Sequence, residues 1–456
     1  MKNKIDNNSI KMENKKLLTV ALLLLAGIGT IFSQTNSGEL NLSLKEAQDY
    51  AVQNNKAVKT ARLDVEASKA TLWSAISNVM PQLSTSGSFT DNLKLMTTLL
   101  PGEFFGQPGT KIPVTFGSQF NSSASLQATL LLFNAPALIG IETTKIANKI
   151  SEQSLEKSEQ DTKESVSASY FLILVSERSL QIVDKNIANL NEVLKSTKSM
   201  FAVGMAEQTD VDQMVSNVVM VENSRSSLQR AIEVNYNLLR LQLGVPIDTK
   251  ITLRETLEQM ATVVDVQALL SQQFDYRNNV SYKLMESQEK ISSLMLKTQK
   301  STVLPTLAGF YNYGVNGMGD KINEQRWFKN SMTGLQLSIP IFASGQRYSE
   351  IKKAQINLEK VRTTKSLVTD QLLLQEKQLR YNLVNANLQY KSQKENVEVS
   401  KRVYASTENK YKQGMASSLE LTQANNLYLQ AENNYITSLM NLLQTKIALD
   451  KLLNNL

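Results

Sequence analysis

The chain has 456 residues with no cysteine and no histidine. That excludes disulfide staples, thiolate or imidazole metal sites, and every nucleophile that depends on a Ser–His or Cys–His pair. Apolar residues make up 42% and charged residues 20%, a balance that excludes a disordered chain and a bundle of membrane-spanning helices. Of the formal charge of +7, residues 1–33 hold +3, since Lys2, Lys4, Lys11, Lys15 and Lys16 face Asp6 and Glu13. The rest is interleaved in sign, which gives no footprint for nucleic acid.

At the N-terminus, Lys15-Lys16 precede the apolar run Leu17–Phe32, followed by Ser33-Gln34. A basic start, an apolar core and a small residue at the cut read as a secretory signal peptide over residues 1–33, with Met12 as an alternative initiator. The run is shorter than the ~20 residues that span a bilayer. Without cysteine, a lipid anchor at this end is excluded.

The remainder is duplicated. Asn54-Asn55 and Pro81 recur 224 positions later as Asn278-Asn279 and Pro305. Phe133 and Phe342 lie 209 apart, and Gly204 and Gly414 lie 210 apart. The offset falls by about 15 between each proline and its phenylalanine, so the first copy carries a longer loop within 91–117. Two repeats, about 40–245 and 262–456, follow from this spacing, within one unit covering 34–456.

Each repeat contains two strand signals. Leu83, Thr85, Gly87 and Phe89 alternate with Gln82, Ser84, Ser86 and Ser88. Phe120, Ala124, Leu126, Ala128, Leu130 and Leu132 alternate with Gln119, Asn121, Ser123, Ser125, Gln127 and Thr129. In the second repeat Leu307, Tyr311, Tyr313 and Val315 alternate with Thr306 and Asn312, and Leu335, Leu337, Ile339 and Ile341 with Gln336 and Ser338. Period-two patterning of this length, with serine and glutamine opposite the apolar face, predicts membrane-barrel strands near 81–90, 118–133, 305–315 and 331–342.

Very long helices follow. No proline occurs in 137–245 or 341–456, and no glycine interrupts the 64 residues from Gly140 to Gly204 or the 69 from Gly345 to Gly414. A helix of that length reaches roughly 100 Å. Val183, Ile187, Leu190, Leu194, Thr197 and Phe201 step by four and three, as do Val397, Ser400, Tyr404, Thr407 and Tyr411, which predicts a coiled-coil seam. Gly204 and Gly414 mark reversals into return helices from about 207 to 243 and 417 to 454.

Four strands cannot close a barrel, since outer-membrane barrels begin at 8 strands and an open edge in lipid leaves backbone groups unsatisfied. Copies are needed. Here the chain resembles the TolC family of outer-membrane efflux proteins: in its duplicated order of helix, two strands, long helix, glycine turn and return helix; in the strand starts Val79-Met80-Pro81-Gln82-Leu83 and Val303-Leu304-Pro305-Thr306-Leu307; and in the turns Val203–Val211 and Gln413–Leu421. The resemblance covers roughly 40–456. It implies a homotrimer with a shared 12-stranded barrel in outer-membrane lipid, four strands per chain, continued by an α-helical barrel into the periplasm. Loops 91–117 and 315–331 would face outside, with the glycine turns at the periplasmic tip. It further implies a passive exit duct, needing no cofactor and no enzymatic activity, that serves a periplasmic adaptor and an inner-membrane transporter of the RND or ABC class. Two alternatives stay open: the duct of a one-step protein secretion system, and a secreted trimeric coiled coil of structural or adhesive role.

No catalytic constellation emerges, because Asp210, Asp212, Glu207 and Glu420 have no base partner or ligand set nearby. Asp210 also reads as a helix N-terminal charge. The resemblance implies a pore gate in which Asp210 and Glu420 are the acids of the two repeats, Gln423 stands where a further acid is expected, and Tyr411 hydrogen-bonds Asp210. Ala416 replaces an expected arginine. Val203, Gly204, Met205 and Ala206, with Gly414, Met415 and Ala416, would form the adaptor-docking turns.

Overall fold

The computed structural model describes residues 39–106, 108–262 and 264–456. The expected signal peptide over 1–33 lies outside the described residues. The first repeat runs through β1 (Leu40–Leu42), α1 (Leu44–Asn54), α2 (Lys56–Ser77), β2 (Gln82–Asp91), β3 (Met96–Pro101), β4 (Lys111–Phe116), β5 (Phe120–Phe133), α3 (Ala135–Ala202) and α4 (Gln208–Leu243). The second runs through β6 (Ile251–Leu253), α5 (Leu257–Thr262), α6 (Val266–Ser271), α7 (Val280–Ser301), β7 (Thr306–Gly319), β8 (Arg326–Ser338), α8 (Gln346–Lys412) and α9 (Ser418–Leu452).

Strands β2, β5, β7 and β8 form one antiparallel sheet in that order, with β2 and β8 at its edges. Antiparallel partners share a face, so the register carries the alternation across all four strands. Thr85 pairs with Leu126, Leu126 with Tyr313, and Tyr313 with Ser331. One face thereby gathers Leu83, Phe89, Leu126, Leu130, Tyr311, Tyr313, Leu335 and Leu337, all exposed. The opposite face is tied by hydroxyls, Ser86 to Ser125 at 2.9 Å and Ser88 to Ser123 at 2.7 Å. Water would not tolerate an apolar band of this size, whereas lipid on one side and a wet lumen on the other suit both faces.

The last strand departs from the expected 331–342. Its final ladder pair is Thr306 with Ser338, because β7 starts immediately after Pro305, which offers no N–H to extend the ladder. Ile339, Ile341 and Phe342 therefore continue beyond the strand with their side chains exposed. At the other end β7 and β8 run further than their alternation suggests. The loop expected over 315–331 shrinks to residues 320–325, which include a short 3₁₀ turn, Ile322–Glu324. The longer first-repeat loop contains its own antiparallel hairpin, β3 with β4.

Helices α3 and α8 span 68 and 67 residues. Asn134 caps α3 by accepting from the Ala137 amide at 3.0 Å, and Pro136 sits in the first turn, where a missing N–H costs nothing. The buried line of α3 below its midpoint is Ile182, Asn186, Leu190, Val193 and Thr197, with Val183, Ile187 and Leu194 half-buried and Phe201 exposed. This differs from the single seam read from the spacing. The cause is that α3 packs between α4 and α9, so its covered surface is broader than one heptad stripe. In α8 the seven-residue spacing holds, with Val397, Tyr404 and Tyr411 all buried.

The main core lies midway along the helices. Tyr170, Phe171, Ile173 and Leu174 of α3 meet Leu239 and Leu243 of α4 and Ile436, Leu439 and Leu443 of α9. The parallel pair β1–β6 closes over it, and Tyr170 donates to the Leu42 carbonyl or the Glu255 carboxylate. Burial pushes the Tyr170 phenol well above its ordinary range.

The repeated asparagines have one role twice. Asn55 caps α2 by accepting from the Ala57 amide at 2.7 Å, and its amide group donates to the carbonyl of Gln242 at the end of α4, at 2.6 Å. Asn279 caps α7 through the Ser281 amide at 2.9 Å and donates to Leu452 at the end of α9, at 3.4 Å. Each asparagine thus joins a short upper helix to the return helix stacked beneath it. Gly244 completes the first junction: it has φ +72°, and a Cβ there would lie 2.4 Å from the Asn54 carbonyl. Asn55→Ala should lower the stability of the detergent-solubilised protein by about 1–2 kcal/mol, the usual worth of a cap. Asn279→Ala should cost less, because its second bond is longer. Thermal melts indistinguishable from wild type for both variants would show that these ties carry no stability.

Candidate functional site

Both long hairpins reverse through the same backbone device. Gly204 has φ +77° and Gly414 φ +73°. The amide of Met205 donates to Met200 O at 2.8 Å, and that of Gly204 to Phe201 O at 3.0 Å. The second hairpin repeats these as Met415 to Lys410 O at 2.8 Å and Gly414 to Tyr411 O at 2.9 Å. This is the closure that a left-handed residue permits at a helix C-terminus. It leaves Val203, Met205 and Met415 exposed at the apices, with Ala206 and Ala416 half-buried behind them.

The two acids of the expected gate are capping residues. Asp210 Oδ2 accepts from the Glu207 amide at 3.1 Å, and Glu420 Oε2 accepts from the Ser417 amide at 2.8 Å. Both are third in their helices, where a carboxylate satisfies an otherwise free N–H and complements the helix dipole. Asp210 does more. Its Oδ1 accepts from the Ser418 hydroxyl at 2.6 Å, which links the N-terminus of α4 to that of α9. Gln423 is exposed one turn further along α9.

Tyr411 is placed differently from the expectation. Its hydroxyl pairs with Thr197 Oγ1 at 2.6 Å inside the tip core, so it does not bond Asp210. The reason is burial: Tyr411 belongs to an apolar cluster with Val193, Met214, Tyr404, Leu421 and Ala424, and Thr197 is the hydroxyl at hand. Thr197 already donates to Val193 O at 2.9 Å, so Tyr411 donates to Thr197. Ala416 packs against the same cluster. Tyr404 stacks on Tyr428 at 5.9 Å between ring centroids, and burial pushes its phenol up to about 12. The two hairpins of one chain are therefore stapled twice at the tip, by Ser418–Asp210 and by Tyr411–Thr197. Asn217 to Thr422, at 3.4 Å, adds a weaker third link.

Sequence reading missed Ser418 and Thr197 as partners. Ser417-Ser418-Leu419-Glu420 carries the capping-box spacing, which could have flagged the acid's role, but nothing local announces a contact between positions 208 apart. The Ser418 hydroxyl, and secondarily the Glu207 backbone N–H, hold the Asp210 carboxyl below its ordinary range. A lowered folded value means that the interlock is fully present above the unfolded value, ~3.9, and is lost only as pH falls through the lower folded value. Hydrogen exchange of the first-turn amides of α4 and α9 should therefore stay constant from pH 8 to about 5, after correction for intrinsic rates. Protection that declines between pH 7 and 5 would assign the tip to another titrating group. Among the described residues no cluster of three or more Asp or Glu side chains forms a metal site.

A sheet apolar on one face, polar on the other, and continued by two long helical hairpins defines one protomer of a membrane channel. The model of the outer membrane efflux protein family matches residues 48–245 and 259–455. The chain belongs to that family, and its place is the outer membrane. It is 23% identical over 243 residues to outer membrane protein TolC of Vibrio cholerae, covering 51% of this chain and 54% of that protein. The chain thus spans about half of that relative's length. It is 21% identical over 435 residues to the toluene efflux pump outer membrane protein TtgF of Pseudomonas putida, covering 92% of this chain and 86% of that one. Among solved structures, VceC from Vibrio cholerae superimposes with TM-score 0.71 at 14% identity, over 90% of this chain and 95% of VceC. The channel protein CusC superimposes with TM-score 0.72 at 15% identity, over 93% and 95%.

Proposed function

We propose that the protein is a homotrimeric exit duct for small molecules, working with a periplasmic adaptor and an inner-membrane RND or ABC transporter that supplies the energy. The observation that carries this reading is the open sheet: apolar and exposed on one face, with β2 and β8 at its edges. Unsatisfied edges are not tolerated in hydrocarbon, and three copies supply 3 × 4 = 12 strands. The helices support the same closure. Leu367, Leu374, Tyr381 and Leu388 recur every seven residues on α8 and are exposed. They lie opposite the face that packs on α9. Val234, Leu238 and Leu241 form an exposed stripe on α4, the other lateral edge of the helical layer. An apolar seam on each flank suits side-by-side copies.

In this reading the tip residues Asp210 and Glu420 ring the periplasmic entrance, with Gln423 beside them, and the turns Val203–Ala206 and Gly414–Ala416 receive the adaptor. Efflux of small molecules is favoured over protein secretion by the relatives whose printed function is an efflux pump, such as TtgF. Native mass measurement of the detergent complex tests assembly, and export in cells lacking their own duct tests function. A complex of three chains that restores drug resistance is the expected outcome. A stable monomer with full helical circular dichroism would overturn the reading.

A further inference from the structure

We propose that the amide-lined groove between α8 and α9 is the wall of the conduit, and that it passes solutes of either charge alike. Selection by charge then lies at the tip alone. This rests on the trimeric duct proposed above. An amide both donates and accepts, so such a wall hydrogen-bonds water and solutes of either sign. Without fixed charge it sets up no potential of its own, whereas rings of acid or base concentrate one sign and repel the other.

The amides follow the helical repeat. On α9, Gln423, Gln430, Thr437 and Gln444 recur every seven residues, all exposed. On α8, Gln371, Gln375, Gln378, Asn382, Gln389 and Asn396 step by four, three, four, seven and seven, and are likewise exposed. The two rows meet in a groove of about 540 Å³, where Gln389 and Gln393 face Asn434, Thr437, Asn441 and Gln444. No residue lining this groove is ionisable. From Leu421 to Thr445 the one acid or base on α9 is Glu432, which is buried and accepts from the Tyr428 hydroxyl at 2.7 Å. Gln423, at the position where the family resemblance leads one to expect an acid, begins the uncharged row.

The opposite side of the helical layer identifies which face is inner. Arg380 donates to Leu270 O and Gln272 O at 2.6 Å each, and so ties α6 to α8. Gln378 and Asn382 stand two residues to either side of it, about 200° around the helix. On α3 the covered side carries Ser167, which accepts from Gln48 of α1 at 2.7 Å, and Tyr170, at 3.2 Å from the Leu42 carbonyl of β1. Three sets of α1, β1, β6, α5 and α6 inside a tube would fill it, so they girdle the outside and the amide face is inner. The row is also distinct from the apolar seam for the neighbouring copy, since Tyr381 and Leu388 lie about 100° around the helix from Asn382 and Gln389. Higher on the inner face the grooves hold charges as opposed pairs, Glu350 with Lys353 at 3.9 Å and Lys157 with Asp161 at 2.7 Å. These pairs add no net charge.

The chain has no native cysteine, so Gln389→Cys and Gln430→Cys can each be placed in the Asp210→Asn/Glu420→Gln background and recorded in planar bilayers. A cationic and an anionic methanethiosulfonate reagent should each change the single-channel current in discrete steps. Their rates should stand in the same ratio as with a free thiol in solution. In the same background Gln430→Glu and Gln430→Lys, each adding one charge per chain, should shift the reversal potential in opposite directions. Current that responds to neither reagent at either position, in a complex with the mass of three chains, would overturn the wall and leave the duct standing. So would a rate ratio displaced by about tenfold, which would reveal a fixed field in the conduit. A one-chain mass, or no conductance from wild type, would sink the duct and the wall together.

Discussion

Replacing Met205 and Met415 together with Asp should reduce export to the background of cells that lack the channel, while the protein still assembles in the outer membrane. The two side chains stand at the apices of the hairpins, exposed and outside the tip core. Their turns are closed by backbone bonds, so a change of side chain leaves the reversal intact. Flexible thioethers suit a surface that must mould itself to another protein's hairpin. Losing a buried apolar anchor at an interface costs about 2 kcal/mol or more, so two per chain amount to ~4 kcal/mol, on the order of a thousandfold in affinity. Resistance to exported compounds, with trimer mass as the control, reads the effect. Undiminished resistance would mean that the apices are only helix reversals. Ala416 is a poorer probe, because it packs on Tyr411 and its neighbours and a bulky residue there would disturb the tip itself.

The channel should prefer cations at rest, and Asp210→Asn/Glu420→Gln should move its reversal potential in a salt gradient toward zero. In a trimer the two positions supply six carboxylates. Like charges around a constriction make a negative potential that bulk salt screens but a narrow opening preserves. Glu420 is held below the usual carboxylate range by the Ser417 amide first and its hydroxyl second, and Asp210 by the Ser418 hydroxyl, so both stay charged at any physiological pH. Glu420→Gln keeps the one oxygen that serves both Ser417 donors, and Asp210→Asn keeps an oxygen for the Glu207 amide while its NH2 turns to the Ser418 hydroxyl, which then accepts, so charge is removed with the helix caps retained. Gln423 adds no charge, and multivalent cations should therefore plug the entrance only weakly. Single-channel recording in planar bilayers beside wild type gives the answer. An unaltered reversal potential would reduce both carboxylates to helix caps.

The tip shows how close a sequence reading can come to a site while misassigning its contacts. Position in the repeat identifies Asp210, Glu420 and Tyr411 as tip residues, because the glycine turns fix where each hairpin reverses. It does not show that Tyr411 turns inward to Thr197 while Ser418 takes Asp210. Those choices depend on how two hairpins, more than two hundred residues apart in sequence, slide against each other.

The same division holds for the whole chain. Period-two alternation, the absence of proline and glycine over two long stretches, and the repeated asparagines, prolines and glycines determine strand, helix and reversal. They do so because those are local matters of backbone sterics and of which face meets lipid, water or protein. Tertiary structure alone decided three things. It ended β8 at Ser338, since the ladder stops where β7 begins at Thr306 after Pro305. It broadened the buried face of α3 beyond one heptad seam, since two neighbouring helices cover it. And it gave Asn55 and Asn279 their second bonds, to Gln242 and Leu452, since a hydrogen bond between distant segments exists only once packing has brought their ends together.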